Sequence, residues 1–296
     1  MPARVARVER RMTDSLADGT RMGAVELLVD DLDTMLAFYR DTLALDLVRV
    51  DGETHVLGRG GVETVTLTPA KGLPRFNRSG AGLFHTAVLF DSRAGLASAV
   101  ARVAQAAPGS YTGSADHFVS QAFYFDDPEG NGVELYWDRP RAEWPRDTAG
   151  RPVMGTEYID ANGFLGTHLT ESEFVKPSAA ASVGHVHLQV GDIPTAREFY
   201  VDTLGFDEVF DMGSALFISA GGYHHHVGLN TWNSRGAGPR AASLGLGTMD
   251  IVLPTPDDVG ALRDRLAFRG AQVADDGRTL TVADPWGSKV RVRAEG

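Results

Sequence analysis

The densest group of chemically active side chains lies in Asp116–Asp138, DHFVSQAFYFDDPEGNGVELYWD. His117 is followed seven residues later by Tyr124, and Glu134 comes ten residues after the tyrosine, beyond a D-P-E-G turn. Two strands joined by this turn would form a hairpin with Tyr124 on one arm and Glu134 on the other. An imidazole, a phenol and a carboxylate that face one cavity are suited to metal binding and to acid–base catalysis.

The histidines are the other candidate ligands, because the chain has nine of them and no cysteine. His85 lies in GLFHTAVLF, and His185 and His187 lie in VGHVHLQV, where two residues of a strand at this spacing share one face. His224, His225 and His226 form a run in GGYHHHVGLNTW, which we expect to be a last strand. A lone strand histidine is more often a hydrogen-bonded core residue than a ligand, and a triple histidine can equally be a solvated edge.

An internal repeat shows which elements must position these residues. Val25–Val50 aligns with Val186–Asp211 without a gap, at an offset of 161 and with 12 of 26 positions identical. Each copy begins with alternating apolar residues typical of a strand and continues into an amphipathic helix that ends in Phe-Tyr. A weaker echo joins Asp127–Val133 to Asp284–Val290, where a D-P-x-G turn precedes a final strand.

The repeat divides the chain into four modules in the order A, B, A′ and B′, each reading as strand, helix and about three strands. This pattern predicts an α+β fold in which four βαβββ modules form two barrel-like cups, since one module alone is too small to close a core. The predicted later strands are Glu53–Leu57, Glu63–Thr68, Gln121–Phe125, Gly132–Trp137, Ala215–Ser219 and His225–Asn230.

Composition suggests how the modules are grouped along the chain. Residues 1–20 are expected to be a flexible N-terminal extension, and residues 21–137 a first domain with modules A and B. Residues 138–182, dense in Pro, Arg and small residues, read as a connector. Residues 183–296 would form a second domain with modules A′ and B′.

Charge and hydropathy exclude several classes of protein. With 28 Lys and Arg against 39 Asp and Glu, the net charge of −11 has the wrong sign for a nucleic-acid partner. No window approaches the roughly 18 apolar residues that a membrane-spanning helix needs. The first 20 residues lack the apolar segment of a secretory signal, so we expect a cytoplasmic location.

These motifs resemble those of the vicinal oxygen chelate superfamily, which includes glyoxalase I, antibiotic-resistance proteins and type I extradiol ring-cleavage dioxygenases. The resemblance covers about residues 20 to 293 and includes the D-L-x(5)-F-Y helices. The stretch H-x(6)-Y-x(2)-D-P-x-G-x(3)-E is similar to the extradiol dioxygenase motif, and GGYHHHVGLNTW resembles the catechol-2,3-dioxygenase branch of Gram-positive bacteria.

This resemblance implies a mononuclear Fe(II) held by two histidines and one glutamate, with a small catechol-type aromatic and O₂ as substrates. His85 and Glu134 match the first-strand and last-strand ligands of the motif-bearing module. The third ligand should come from the first strand of the partner module, which offers Ala24 if B pairs with A and His185 if B pairs with A′. The second pairing completes the triad, so we predict that B pairs with A′ and A with B′.

The same pairing predicts that the cup formed by A and B′ is catalytically silent. Its corresponding positions hold Ala24, Leu67, Thr248 and Arg291, which supply no set of imidazole and carboxylate ligands.

The resemblance also implies roles for residues around the metal. His117 and Tyr124 are the candidate acid–base residues, and Asp116 is a candidate to orient His117. His187 and His225 would line the cavity as substrate contacts or as a reserve fourth ligand.

Two other functions remain open at this stage. A glyoxalase-like or epimerase-like lyase or isomerase would use Mn, Ni, Co or Zn, usually with a second carboxylate, and only Glu134 is evident. A drug-sequestering resistance protein of the same fold would normally lack the metal ligands. Sheets of this superfamily often associate, which leaves a homo-oligomer open.

Overall fold

The computed structural model describes residues 15–296, and its elements follow the four-module α+β order expected from the sequence. In modules A and A′ the helix after the first strand continues as a π-helix. Module A contains β1 (Arg21–Val29), α1 (Leu32–Leu36) with the π-helix Ala37–Thr42, β2 (Asp46–Asp51), β3 (Thr54–Arg59) and β4 (Val62–Pro69). Module B contains β5 (Gly82–Phe90), α2 (Arg93–Ala106), β6 (Tyr111–Asp116), β7 (Ser120–Asp126) and β8 (Gly132–Asp138).

The second half repeats this order after two short helices, α3 (Ala161–His168) and α4 (Glu171–Val175). Module A′ contains β9 (Ala181–Gln189), α5 (Ile193–Arg197) with the π-helix Glu198–Thr203, β10 (Asp207–Asp211), β11 (Ala215–Ser219) and β12 (Val227–Asn230). Module B′ contains β13 (Gly245–Leu253), α6 (Pro256–Phe268), β14 (Val273–Asp275), β15 (Thr279–Ala283) and β16 (Lys289–Ala294).

The strands form two eight-stranded sheets, and each sheet combines one module from either half of the chain. One sheet has the order β10-β11-β12-β9-β5-β8-β7-β6, which joins A′ to B, and the other has β14-β15-β16-β13-β1-β4-β3-β2, which joins B′ to A. The predicted module pairing is therefore confirmed. We call these sheets the inner cup (B with A′) and the outer cup (A with B′). Neither closes into a barrel within the described residues.

The first strands of the paired modules lie antiparallel at the centre of each sheet, β5 beside β9 and β1 beside β13. Each first strand is also parallel to the last strand of its own module. One buried apolar cluster includes residues of all four modules, such as Val25, Val88, Val186 and Val290, so both sheets share a core. This arrangement places the first and last strands of modules B and A′ side by side.

The repeated D-x-x-T turns begin the helices of modules A and A′. The Asp31 side chain accepts a hydrogen bond from the Thr34 N–H, and the Asp192 side chain accepts one from the Thr195 N–H. These contacts satisfy backbone donors that a helix start leaves free. Both helices end in the π-helical segments that bury their Phe-Tyr tyrosines, as in Tyr39.

Those two tyrosines link consecutive modules across the sheets. The Tyr39 hydroxyl donates to Asp127 of the D-P-E-G turn in module B, over 3.0 Å. The Tyr200 hydroxyl donates to Asp284 of the D-P-W-G turn in module B′, also over 3.0 Å. The two repeated sequence motifs therefore meet in one buried contact, once in each half of the chain.

The predicted division into an N-terminal extension, two domains and a connector stays a prediction. Residues 1–14 of the predicted extension lie outside the described residues, whereas Leu16 is buried and its N–H donates to the Gly205 carbonyl. Residues 138–182 contain α3 and α4 between the last strand of B and the first strand of A′. Between residues 15 and 296, no helix combines the length and apolar character needed to span a membrane.

One predicted strand boundary is wrong. The last strand of A′ begins at Val227, so His224, His225 and His226 precede it in a loop that follows a turn at Gly221 and Gly222. Gly221 and Gly222 upstream have φ values of +60° and +66°, a left-handed conformation that ends extended structure. The three histidines therefore lie in a loop, where strand alternation does not determine the direction of their side chains.

Candidate metal centre

Three central strands of the inner cup bring His85, His185 and Glu134 to one face. Ala87 on β5 lies opposite Glu134 on β8 and opposite His185 on β9. His85 is two residues from Ala87 and therefore lies on the same face of β5. The small, fully buried Ala87 leaves space between the longer side chains on both sides.

The potential ligand atoms converge closely. Glu134 Oε2 lies 2.9 Å from His85 Nε2 and 3.1 Å from His185 Nε2. One ligand atom from each of the three residues lies within 4.8 Å of the others, and all three side chains are buried. Among residues 15–296 this is the one such group that could hold a metal ion.

The site favours an ionised carboxylate at Glu134. Burial alone would raise the pKa of Glu134, but His185, through its charge and its hydrogen bond, and the nearby His85 hold that pKa well below its usual range. Burial lowers the pKa of His185, and Glu134 opposes this shift. Neutral imidazoles and an ionised carboxylate are the protonation states in which these groups bind metals.

The polar atoms of the site fit a cation. His85 Nε2 is buried close to Glu134 Oε2, yet the two atoms are not aligned as a hydrogen bond. A buried nitrogen without a hydrogen bond is costly unless another partner satisfies it. Two imidazole nitrogens and one carboxylate oxygen on one side of a cavity form the facial donor set used by mononuclear Fe(II) oxygenases.

The two halves of the inner cup differ at one position that matters for metal binding. In the β5–β9 pair, His85 lies opposite His187 and Ala87 lies opposite His185. A local twofold axis between the two strands therefore relates His85 to His185, and Ala87 to His187. Glu134 lies beside Ala87, and the residue in the equivalent place beside His187 is Gly228. The second half of the cup therefore has no side chain where a second carboxylate would stand.

The predicted acid–base pair is a direct contact. Tyr124 lies opposite Glu134 in the β7–β8 hairpin, as the spacing predicted, and its hydroxyl is 2.6 Å from His117 Nε2. His117 Nδ1 is 2.8 Å from the Gly155 carbonyl, which can only accept. Nδ1 therefore carries the proton, and Nε2 accepts from Tyr124. Burial, together with the Glu134 charge, raises the pKa of Tyr124 well above its usual value.

The expected contact between Asp116 and the His117 ring needs correction. The ring is held by Gly155, while Asp116 accepts from the Phe118 N–H and pairs with Arg139. Phe118 has a φ of +70°, which a residue with a side chain rarely adopts, and the Asp116 hydrogen bond holds this strained turn. Asp116 lies outside the cavity lining and supports the turn that carries His117.

A second polar network, not anticipated from the sequence, lies behind His185. The Asp138 carboxylate accepts from His224 Nε2–H over 2.9 Å and from the Tyr223 hydroxyl over 2.7 Å. His224 Nδ1 lies 2.7 Å from His225 Nδ1, so a neutral His224 accepts there and His225 donates. The His225 ring packs on His185 at a centroid distance of 4.0 Å.

One signal in the sequence points to this network. Every second residue of β8 faces the same side, and these residues include Glu134, Tyr136 and Asp138. The network therefore lies on the face where Glu134 meets His85 and His185. Tyr136 joins the network through its hydroxyl, 2.8 Å from that of Tyr223.

The three candidate ligands, which we call the metal group, line a cavity of about 780 Å³. Its walls include four of the predicted site residues beyond the metal group, namely His117, Tyr124, His187 and His225. His187 Nε2 is buried without a hydrogen bond among the described residues. Burial lowers the pKa values of His187 and His225 well below the usual range, so both imidazoles are neutral. A cavity of this size matches small-molecule sites in proteins.

The outer cup has no comparable group within residues 15–296. On its central strands Ala24 and Thr248 stand where the inner cup has His185 and His85, and Leu67 is buried in the core. Arg291 holds Asp250 through two hydrogen bonds of 2.7 and 2.8 Å. An internal ion pair therefore occupies the part of the outer cup that corresponds to Glu134 and Ala87.

Comparisons with known proteins agree with this architecture. The sequence matches the model of the Glyoxalase/Bleomycin resistance protein/Dioxygenase superfamily over residues 21–135 and 182–292. A catechol-2,3-dioxygenase of Bacillus subtilis (strain 168) is 36% identical over 278 residues, which cover 92% of this chain and 96% of the relative.

Solved structures share the fold at low sequence identity. A candidate dioxygenase from Bacillus subtilis superposes with a TM-score of 0.64 at 16% identity, over 95% of this chain and 86% of that one. Glyoxalase I from Zea mays superposes with a TM-score of 0.56 at 18% identity, over 93% of this chain and 92% of that one. At such identities the likeness establishes a common fold alone.

Proposed function

Because the chain belongs to the glyoxalase/bleomycin resistance protein/dioxygenase superfamily, we propose that it is an Fe(II)-dependent extradiol dioxygenase that cleaves a catechol-type aromatic with O₂. The catechol-2,3-dioxygenase of Bacillus subtilis, which aligns with 92% of the chain, supports this choice within the superfamily. The proposed ligands are His85, His185 and Glu134.

The observation that carries this proposal is the number of converging side chains. The donor set has three residues, and Gly228 stands at the position equivalent to Glu134 in the other half of the cup. A lyase or isomerase with a second carboxylate ligand would need a side chain at that position, and glycine offers none. Three ligands on one face leave the other coordination positions for exogenous molecules. A drug-sequestering protein would have no use for three buried, converging ligands, whose desolvation is costly without a cation.

Bound Fe(II) would supply the site that holds the catechol oxygens and O₂ together, and the chain would handle the protons. A catechol hydroxyl near Tyr124 can pass its proton to the Tyr124 oxygen while the Tyr124 proton moves to His117 Nε2. The Gly155 carbonyl then stabilises the protonated His117 by accepting from Nδ1–H. Such positioned proton transfer contributes about 10²–10⁴-fold to rate.

His225 is placed to act from the other side of the cavity. Its Nδ1 donates toward His224, which is anchored by Asp138, so its Nε2 carries the lone pair. The hydrogen bonds therefore select one tautomer of His225, with an acceptor nitrogen available to a bound ligand. Its packing on His185 also restrains the orientation of that proposed ligand.

The test is anaerobic purification, loading with Fe(II), and measurement of iron content, O₂ consumption and the yellow ring-opened product from catechol. We expect one iron per chain and stoichiometric use of O₂. Glu134→Gln should lose both iron and turnover while circular dichroism shows a folded chain, because the buried carboxylate is the anionic ligand.

Glu53→Gln is the matched control, since Glu53 is exposed in a turn of module A outside the cavity. It should keep iron and activity. A Glu134→Gln protein that retains both would contradict the proposed centre. Turnover of a glyoxalase substrate with Zn or Ni, without cleavage of any catechol, would point to the lyase alternative.

A further inference from the structure

We infer that the preferred substrate is an uncharged catechol with an apolar substituent, held by an aromatic subsite that runs from His187 to the cavity mouth at Trp232. This inference rests on the proposed function, because it concerns the part of the same cavity beyond the metal group. A ring with two hydroxyls fills only a fraction of a cavity of about 780 Å³. The residues around the remaining space therefore select the substituent.

Two files of aromatic rings lead away from the metal group. The His187 ring lies 5.0 Å from that of His85 and 5.3 Å from that of Trp232. On the other side, His187 lies 5.7 Å from Phe217, which stacks on Phe210 at 6.1 Å. Aromatic faces at these separations suit the planar or alkyl group of a ligand inserted between them.

The mouth of the cavity is lined by large apolar side chains that water reaches. Phe210 is 42% exposed, Trp232 47% and Met212 53%, and all three line this cavity. Exposed apolar residues clustered at one cleft mark a binding surface, because each gains free energy only when a ligand covers it. An apolar substituent on the catechol would cover them.

The cavity has little positive charge to offer a substrate carboxylate. Among the described residues that line it, Arg78 is the one Lys or Arg, and it pairs with Asp126 over 2.8 Å and donates to the Gly130 carbonyl. Nearby amides are also engaged, since Gln189 donates to the Gly80 carbonyl and accepts from Asn233. A carboxylate on the ring would lose hydration and would compete with Asp126 for the guanidinium of Arg78.

The first experiment compares catechols that differ only in the substituent. The 3- and 4-methyl catechols are paired with 2,3- and 3,4-dihydroxybenzoate, so that methyl and carboxylate occupy the same positions, and 3- and 4-phenylcatechol test the larger apolar group. At the better position, we expect kcat/KM of the Fe(II)-loaded protein to be at least about 10-fold higher for methyl and phenyl than for carboxylate. Anaerobic dissociation constants for the same compounds should show the same order.

The second experiment replaces side chains at the cavity mouth with a smaller or a charged one. Trp232→Ala should lower the ratio of kcat/KM for phenylcatechol to that for catechol by about 10-fold, because the ring loses its aromatic contact. Met212→Lys should narrow the difference between methyl and carboxylate compounds by supplying a cation. Phe268→Ala is the matched control, since Phe268 is 88% exposed on α6 and does not line the cavity, and it should leave both ratios unchanged.

Failure of the inference and failure of the proposed function give different results. If catechol is cleaved but the dihydroxybenzoates are cleaved as efficiently as the methyl compounds, the apolar subsite is overturned and the dioxygenase stands. If no catechol is cleaved while phenylcatechol still binds at least about 10-fold more tightly than dihydroxybenzoate, the dioxygenase is overturned and the subsite stands.

Discussion

Two small residues on the floor of the inner cup, Ala87 and Gly228, decide how the larger side chains approach each other. Ala87 separates Glu134 from His185 and lets both reach toward His85. Gly228 leaves room for the His187 ring, since a Cβ there would lie 2.9 Å from His187 Cδ2. The number of converging ligands therefore depends on residues with almost no side chain.

Gly228→Ala tests this role. The added methyl group should displace His187 and lower kcat/KM by about 10- to 100-fold, because small shifts of groups around bound reactants are costly. Iron content should remain at the wild-type level, since the three proposed ligands are unchanged. Gly109→Ala is the control, as nothing lies within 4 Å of a Cβ at that position. Full activity of Gly228→Ala would show that His187 has no fixed place in the site.

The Tyr124–His117 pair gives a second prediction at this scale. Tyr124→Phe and His117→Ala should each retain iron and lower kcat by about 10²–10⁴-fold, because they remove the proton acceptors facing the cavity. The double variant should lose little more than either single variant, since the two groups act as one unit. Iron analysis and steady-state kinetics measure both effects, and loss of iron in either variant would instead indicate a ligand role.

The repeated elements do more than build two similar halves. Each Phe-Tyr helix meets the D-P-x-G turn of the following module through a buried hydrogen bond, Tyr39 to Asp127 and Tyr200 to Asp284. These contacts tie A to B and A′ to B′, whereas the strands pair B with A′ and A with B′. Modules adjacent in sequence are thus joined by side chains, and modules that form a cup are joined by backbone hydrogen bonds.

Removal of the Tyr39 or the Tyr200 hydroxyl should therefore lower the stability of the folded chain. Tyr39→Phe and Tyr200→Phe should each lower the free energy of unfolding by about 1–3 kcal/mol, because each leaves a buried aspartate short of a donor. Urea denaturation followed by circular dichroism measures this change. Tyr158→Phe, at an 81% exposed position, should have no effect. Equal stability of the three variants would refute the proposed link.

For the molecule as a whole, the two cups share a topology but differ in what fills the centre. The inner cup gathers three buried candidate ligands around a cavity, while the outer cup places Asp250 and Arg291 at the positions that correspond to Ala87 and Glu134. The Asp250 side chain is 3% exposed and that of Arg291 is 44% exposed, so the ion pair shields a buried carboxylate. We therefore propose a structural role for the outer cup.

That role predicts an asymmetric response to mutation. Arg291→Met should destabilise the chain more than Asp250→Asn does, because it leaves the buried carboxylate only Arg293, at 4.0 Å, whereas the half-exposed arginine can be solvated. We expect a loss of about 1–3 kcal/mol for Arg291→Met and less for Asp250→Asn. Iron content and kcat should be unchanged in Asp250→Asn. A loss of iron in that variant would show that the cups are coupled.

The sequence by itself determined the fold class, the four modules and the identity of His85, Glu134 and His185 as candidate ligands. The fold class and the modules depend on local patterns, namely the repeat of Val25–Val50 and the alternation along strands. The ligand set also depends on the resemblance of the segment around the D-P-E-G turn to the extradiol dioxygenase motif. Local spacing sets which face of a strand a side chain occupies, and it set the hairpin contact between Tyr124 and Glu134 correctly. The module pairing could be predicted because the resemblance implies two histidines and one glutamate, and only the pairing of B with A′ supplies all three.

Only the tertiary structure decided the contacts between distant segments. His117 is held by Gly155, 38 residues away, and His224 by Asp138, 86 residues away. The open position at Gly228 follows from its register with His187. Register between strands and the path of a loop depend on packing of the whole core, and a shift of one residue would turn each side chain to the opposite face. No pattern along the chain encodes that choice, so the tautomers, the strained turn at Phe118 and the number of ligands emerge only when the sheets assemble.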